Sequence, residues 1–379
     1  MKIALVYDAI YPYMYGGAER RYYELGRRLA REHEVHLIGW QFWPGPARTS
    51  SDGMQLIGVG KPASFYDRLG RRTLAEALKF ALAVLPACAG KDYDVLDCSS
   101  VPYLPVLSTR FARPRSNIAV TWHEYMGERW GSYLGKRSIA AAAIENACAR
   151  VGRVRIAVSG FTARRLPGGT PPTVVVQNGV DLETIDAAEP APGGPDVLFV
   201  GRLLPHKQVG LALEAVRRLD AKVSFGIVGS GPEEERLQES ASRLGLSDRV
   251  RFYGPLTDSK AVYAVMKSAR LLVQPSEQEG ESIVVKEAMA CGLPCVVVDA
   301  EFSAAKDLVA EGENGFVVPG RAEALAEALG TLLEDEGKRR RFAANALAAA
   351  RSFDWGHSAA RIEEVYAGLV AGPAAARAR

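Results

Sequence analysis

Two cations stand five residues apart in Gly201-Arg202-Leu203-Leu204-Pro205-His206-Lys207, directly after the apolar run Val197 to Val200. An arginine fork and a lysine point charge at the mouth of a helix suit a diphosphate. Further on, Glu279 and Glu287 bracket Gly280-Glu281-Ser282-Ile283-Val284-Val285-Lys286. Glu279 ends a loop, whereas Glu287 falls inside the next helix. The first amides of that helix, at Ser282, Ile283 and Val284, supply donors and the positive end of a dipole. Carboxylates accept paired sugar or ribose hydroxyls. The set therefore fits a polyhydroxylated, phosphorylated ligand. Without their flanking pattern, the same acids also read as helix-starting side chains on a solvated face.

The first half of the chain carries weaker signals. Gly16-Gly17 precedes a helix, where glycine lets a backbone approach a phosphate closely or simply makes a tight turn. His123, in Thr121-Trp122-His123-Glu124, ends a strand and is expected to face a cleft, although a lone histidine also serves as a structural residue. Gly226-Ile227-Val228-Gly229-Ser230-Gly231-Pro232 lacks the third glycine of a dinucleotide fingerprint, with Glu234 in that place, which argues against NAD. The five cysteines have no Cys-x-x-Cys pair and no histidine at zinc spacing, so buried thiols in a reducing compartment are expected and no metal site is.

The elements that must hold these residues follow from an apolar pattern. The 379 residues are 48% hydrophobic and 24% charged, ample for two or three domains and too apolar for a disordered chain. The apolar stretches are too short for a spanning helix. The chain opens on the strand-like run Lys2 to Tyr7, so no signal peptide is expected. Strand candidates at Val35 to Ile38, Val95-Leu96, Ile118 to Val120, Val154 to Val158 and Val174 to Val176 alternate with helices at Ala18 to Arg31, Leu74 to Leu85 and Ile139 to Arg150. After the linker-like Pro190 to Pro195 the pattern restarts, with strands at Val197, Val223, Val250, Leu271 and Cys295 separated by helices, the first expected from His206 to Leu219. Two successive βαβ systems predict an α/β chain of two doubly wound parallel sheets, with ligands at the carboxyl ends of the strands in a cleft between them.

Taken in order, these motifs resemble those of a retaining family 4 glycosyltransferase of the GT-B architecture. The resemblance runs from Lys2 to about Ala367. It includes Gly16-Gly17, His123, Gln177-Asn178-Gly179-Val180-Asp181, Val200-Gly201-Arg202 with Lys207, Gly229-Ser230-Gly231-Pro232, the Glu279/Glu287 pair and Phe353-Asp354-Trp355. It implies a first Rossmann-like domain over 1–177 on the acceptor side and a nucleotide-sugar domain over 178–355. Residues 356–379 would form a return helix and tail packing on the first domain. It further implies that Arg202 and Lys207 bind the donor diphosphate, that Glu287 binds the ribose, and that Glu279 holds sugar hydroxyls. Gly231 and the amides of Ser282, Ile283 and Val284 would join the nucleotide side. Gly16 and Gly17 would close on the phosphates, and His123 would sit by the reacting sugar. No cofactor is implied beyond the donor, and no metal: two cations and the helix amides would stabilise the leaving group. The chain departs from the family where Glu281-Ser282 replaces Phe-Gly, which is expected to bring an extra carboxyl near the donor sugar. Gln208-Val209-Gly210 replaces Gly-x-Asp, and Ser303-Ala304-Ala305-Lys306 replaces a glycine-rich turn.

Charge divides the chain. Through Gln177 there are 24 Lys/Arg against 14 Asp/Glu, or +10; after it, 23 against 30, or −7. Arg20, Arg21, Arg27, Arg28 and Arg31 lie along the first helix, and Arg68, Arg71 and Arg72 precede the second. This points to an anionic acceptor, or a lipid-linked one met at the inner face of an acidic membrane by a cytoplasmic enzyme. A small soluble acceptor such as an aminocyclitol is the alternative, as is a sugar-nucleotide-binding module without transfer. Nucleic acid is not expected, since no binding motif accompanies the charge.

Overall fold

A computed structural model describes residues 1–62, 73–90, 92–131, 135, 138–169 and 171–372. Arg68, Arg71 and Arg72 lie outside the described residues. The chain divides into two compact units, one formed by Met1 to Asn178 with the segment from Trp355 onward, the other by Gly179–Asp354.

The first unit is built on β1 (Lys2–Val6), β2 (Glu34–Gly39), β3 (Arg48–Ser51), β4 (Met54–Gly58), β5 (Val95–Ser99), β6 (Ile118–Trp122), β7 (Val154–Ala157) and β8 (Thr173–Val175). The sheet order is β3-β4-β2-β1-β5-β6-β7-β8, parallel except for the β3–β4 pair. Its helices are α1 (Gly17–Leu29), α2 (Leu74–Ala89), α3 (Leu104–Ala112), α4 (Ser138–Cys148) and α5 (Gly160–Arg165). Ile3, Ala4, Leu5 and Val6 are all buried, as a strand covered on both faces requires. The amphipathic α1 buries Tyr22, Leu25 and Leu29. Strand β3 escaped the sequence reading because Arg48-Thr49-Ser50-Ser51 is polar and lies at the sheet edge; the short apolar β4 was also not identified.

The second unit contains α6 (Leu182–Asp186), β9 (Val197–Val200), α7 (Val209–Arg217), β10 (Phe225–Val228), α8 (Glu234–Arg243), β11 (Val250–Gly254), α9 (Ser259–Ser268) and β12 (Leu271–Gln274). It continues through β13 (Gln278–Glu279), α10 (Ile283–Ala290), β14 (Cys295–Val298), β15 (Phe302–Ser303), β16 (Gly315–Val318), α11 (Ala322–Glu334) and α12 (Glu336–Ala350). The main sheet is parallel in the order β11-β10-β9-β12-β14-β16, and β13 pairs with β15 separately. The last helix, α13 (Trp355–Ala371), belongs to the first unit and buries Trp355, Ile362 and Tyr366 there. The Tyr366 hydroxyl donates to Asp97 Oδ2 at 2.5 Å.

In each sheet the chain moves outward from one strand, then returns to that strand's other side. The reversal lies between β1 and β5 in the first sheet and between β9 and β12 in the second. At such points the loops leaving the two strands diverge and open a crevice beyond their carboxyl ends.

Candidate functional site

The residues leaving β9 and β12 are those singled out by their chemistry. Arg202 and Lys207 follow β9, and Glu279 follows β12. Lys207 Nζ lies 2.7 Å from Glu279 Oε1, with the two side chains only 16% and 10% exposed. Gln274, the last residue of β12, donates to the same oxygen at 2.8 Å and to Ser276 Oγ at 2.9 Å. Burial raises the Glu279 carboxyl, but the Lys207 charge and hydrogen bonds from Lys207, Gln274 and Ser276 outweigh it and leave it below the usual range. The two loops are also tied through the backbone, where the Glu277 N–H donates to the His206 carbonyl at 2.9 Å.

Two boundaries differ from expectation. The helix expected from His206 begins at Val209, because Pro205–Lys207 is a 3-10 turn and Gln208 adopts a left-handed conformation at φ 52°. Glu279 does not end a loop. It is part of β13, opposite Ser303 of β15, which brings the Ser303-Ala304-Ala305 segment to the same place.

Helix α10 starts after Ser282, which is 2% exposed, so Ser282, Ile283 and Val284 do form its N-terminal end. Glu287, 8% exposed, accepts from the Tyr263 hydroxyl at 2.8 Å. Glu281, the extra carboxyl expected near the sugar, is already engaged. It pairs with Lys286, the two side chains 2% and 0% exposed, and the Lys286 ammonium also lies 4.7 Å from the Phe353 ring centre. A buried lysine draws the nearest carboxylate to itself.

Gly229 and Gly231 are explained by close backbone approach. A Cβ on Gly229 would lie 1.9 Å from the Gly201 carbonyl oxygen, and one on Gly231 would lie 2.3 Å from that of Leu203. Gly201 N–H donates to Val228 at 3.0 Å and Leu203 N–H to Ser230 at 2.9 Å. The glycine loop thus braces the segment that carries Arg202. The Asn178-Gly179-Val180-Asp181 run also serves the scaffold. Asn178 accepts from Arg21 at 2.9 Å, Val180 N–H donates to Phe353, and Asp181 caps α6 through Thr184 N–H at 3.1 Å.

In the first unit, Gly16 is extended at φ −172° and caps α1 with Gly17 as the first helical residue. That backbone is open to any residue, so a tight turn does not account for the pair. His123 follows β6, with its ring centre 6.3 Å from Tyr7 and 6.1 Å from Tyr22. Its Nε2 is sealed from solvent without a hydrogen bond. Burial first, and the Arg21 charge second, push the imidazole down to about 3. The loop beyond His123 is fastened by a residue the sequence did not reveal. Glu145, fully buried, accepts from the N–H groups of Met126 and Gly127 at 2.8 Å each, from Trp130 Nε1 at 2.9 Å and from the Tyr103 hydroxyl at 2.6 Å. Nothing in Ile144-Glu145-Asn146 marks it, since its partners are 15 to 42 residues away.

Among the described residues no group of three or more His, Cys, Asp or Glu side chains could hold a metal ion. One Asp-x-Asp triplet, Asp92-Tyr93-Asp94, is present in the sequence, but it precedes β5, at the amino end of the strand. There Asp94 accepts the Lys2 N–H at 2.7 Å. A separate cavity of about 420 Å³ opens along α7 and α8, lined by Gln208, Glu214, Glu233, Arg236 and Arg243 among others, and touches none of Arg202, Lys207, Glu279 or Glu287. All five cysteines are free thiols, four buried and Cys291 partly exposed.

Residues 15–184 match the family described as Glycosyltransferase Family 4, and residues 182–348 match Glycosyl transferases group 1. A D-inositol 3-phosphate glycosyltransferase of Xylanimonas cellulosilytica is 28% identical over 392 residues, covering 93% of this chain and 91% of that protein. A phosphatidyl-myo-inositol mannosyltransferase of Mycobacterium leprae is 35% identical over 223 residues, 56% of this chain and 58% of that protein. Among solved structures, the sucrose-phosphate synthase of Thermosynechococcus elongatus superposes with a TM-score of 0.82 at 21% identity, covering 98% of this chain and 99% of that one. Anabaena HepE in complex with UDP and glucose gives 0.75 at 22% identity, covering 97% and 100%.

Proposed function

Because the chain belongs to the family 4 glycosyltransferases of the GT-B architecture, we propose that it moves a sugar from a nucleoside diphosphate donor to a hydroxyl of an anionic, phosphate-bearing acceptor, with retention at the anomeric carbon. The observation that carries this reading is the Lys207–Glu279 pair, 2.7 Å apart beyond the carboxyl ends of β9 and β12. The cation answers a departing diphosphate and the carboxylate answers sugar hydroxyls, so one contact unites the two halves of a sugar nucleotide. HepE bound to UDP-glucose supports the donor class.

In the proposed reaction the bond from the anomeric carbon to the diphosphate oxygen breaks while the acceptor oxygen bonds to the same face. The acceptor proton passes to the departing phosphate. Arg202 and Lys207 stabilise the charge that develops there, in place of a metal. Glu279 holds sugar hydroxyls beside the reacting carbon rather than forming a covalent intermediate. Glu287, steadied by Tyr263, accepts the ribose hydroxyls, and His123 serves the sugar as a neutral imidazole. The excess of basic residues in the first half and the inositol phosphates in the relatives' names support the anionic acceptor.

A thermal-shift panel of UDP-, GDP-, ADP- and dTDP-sugars, followed by hydrolysis of any binder, tests the reading. A donor that binds only the folded chain raises its melting temperature, and chelator should leave turnover intact. Binding with no hydrolysis or transfer would instead support a sugar-nucleotide-binding module, and a strict magnesium requirement would remove the metal-free mechanism.

A further inference from the structure

The loop between β1 and α1 reads Tyr11-Pro12-Tyr13-Met14-Tyr15-Gly16-Gly17, three tyrosines in five residues ahead of the glycine pair. Tyr13 and Tyr15 are 42% and 48% exposed. What sets these two apart from other exposed apolar side chains is that they belong to a contiguous aromatic patch, the kind of surface that marks a binding site. Each ring rests on a second aromatic layer. Tyr13 stacks on Phe42 with centroids 6.3 Å apart and planes 12° from parallel, and Trp43 lies 6.0 Å away. Tyr15 meets Tyr11 edge-on at 5.6 Å, and Tyr11 lies 4.9 Å from Tyr23.

The backing layer is itself fixed. The Trp43 indole N–H donates to the Pro46 carbonyl at 2.9 Å, and the Gln41 amide donates to the carbonyls of Trp43 and Gly45 at 3.1 and 2.9 Å. The Tyr23 hydroxyl donates to Asp52 at 2.9 Å. The two exposed rings are therefore held in place before any ligand arrives, which lowers the ordering cost of binding. The supporting segments follow β1 and β2, neighbours in the sheet, at the carboxyl edge where this architecture takes ligands. Between Tyr7 and Gly17 the only charged residue is Asp8, so the loop suits a neutral group. A tyrosine face with a hydroxyl tip matches a polyhydroxylated ring, which offers C–H groups on its face and hydroxyls at its rim.

We propose that Tyr13 and Tyr15 form the subsite for the acceptor's ring, a pyranose or cyclitol laid face-on against the tyrosines. This rests on the transferase reading above, with the first unit receiving the acceptor.

The test is saturation-transfer NMR on the full chain with methyl α-D-glucopyranoside, methyl α-D-mannopyranoside, myo-inositol and D-inositol 3-phosphate. Ring C–H protons of at least one probe should be saturated, with a Kd raised about tenfold or more in Tyr13→Ala and in Tyr15→Ala. Tyr13→Phe should bind far better than Tyr13→Ala, and an unchanged melting temperature excludes a folding defect. No binding of any probe, or equal binding by wild type and both alanine variants, overturns the proposal. So does loss of anionic-vesicle binding with sugar binding retained, which would assign the tyrosines to a membrane surface. Failure of the transferase reading shows separately, as a wild-type chain that neither binds nor hydrolyses any nucleotide sugar.

Discussion

Lys207 carries two duties in the proposed chemistry, because the ammonium that meets a diphosphate already neutralises the Glu279 carboxylate. Lys207→Ala should lower kcat about 10²- to 10³-fold, the range for removing one preorganised donor to a developing negative charge. Near wild-type turnover in that variant would overturn its role. Glu287→Gln should act mainly on the donor Kd, since a ribose contact is similar in the ground and transition states. Loss of turnover at unchanged donor affinity would contradict it. His123 gives a pH prediction. Its imidazole, at about 3 in the fold against the ordinary 6.5, stays neutral where the unfolded chain takes up a proton. The stability it contributes is present above about pH 6.5 and is lost as pH falls toward 3, by at most about 1.4 kcal/mol per pH unit. Urea titrations between pH 4 and 7.5 should show a shallower acid limb in His123→Gln. In the wild type, no inflection of kcat/KM between pH 5 and 8 should belong to this residue.

The loops after β9 and β10 are zipped so closely that glycine alone fits. Gly231→Ala would set a methyl against the Leu203 carbonyl, 2.3 Å from its oxygen, and backbone cannot retreat as a flexible side chain can. We expect a lower melting temperature together with a weaker donor Kd, because the displaced strand-to-helix segment carries Arg202 and Lys207. A melting temperature equal to wild type would show that the loop yields. Helix α10 allows a cleaner experiment. Removing one member of a buried ion pair leaves the other charge without compensation, so Lys286→Leu should cost up to about 3–5 kcal/mol in denaturant unfolding. Glu281→Phe combined with Lys286→Leu should recover most of that loss, since well-packed apolar residues often replace a buried pair without penalty. If the double variant is as unstable as the sum of the singles, the two side chains do not depend on each other.

Across the whole chain, the contrast of +10 against −7 concerns partners rather than folding. Helix α2 adds an apolar line to the basic unit, with Leu74, Leu78 and Leu82 exposed at 75%, 52% and 60% along one face. No helix among the described residues is long and apolar enough to cross a membrane. A lipid-linked acceptor would instead be met at the surface, with roughly 1 kcal/mol from each nearby basic residue, weakening as salt rises. Sedimentation with anionic vesicles should fall between low and high salt, and should fall further when the three leucines become serine. Absence of salt-sensitive binding would leave a free phosphate-bearing acceptor.

The sequence by itself determined the two βαβ systems and the cations and carboxylates after β9 and β12. Apolar runs, glycines and charged residues at strand ends are local signals, and burial on both faces of a parallel sheet writes them plainly. Only the tertiary structure decided what each charge meets. Nothing near Glu281 in sequence announced its pairing with Lys286, and no motif marks Glu145, on which four donors from distant segments converge. The packing of Phe42 and Trp43 against Tyr13, and of Tyr11 against Tyr15, likewise comes from the fold. A side chain's partners are set by which strands lie side by side, and that adjacency joins residues far apart in sequence, where no local spacing records it.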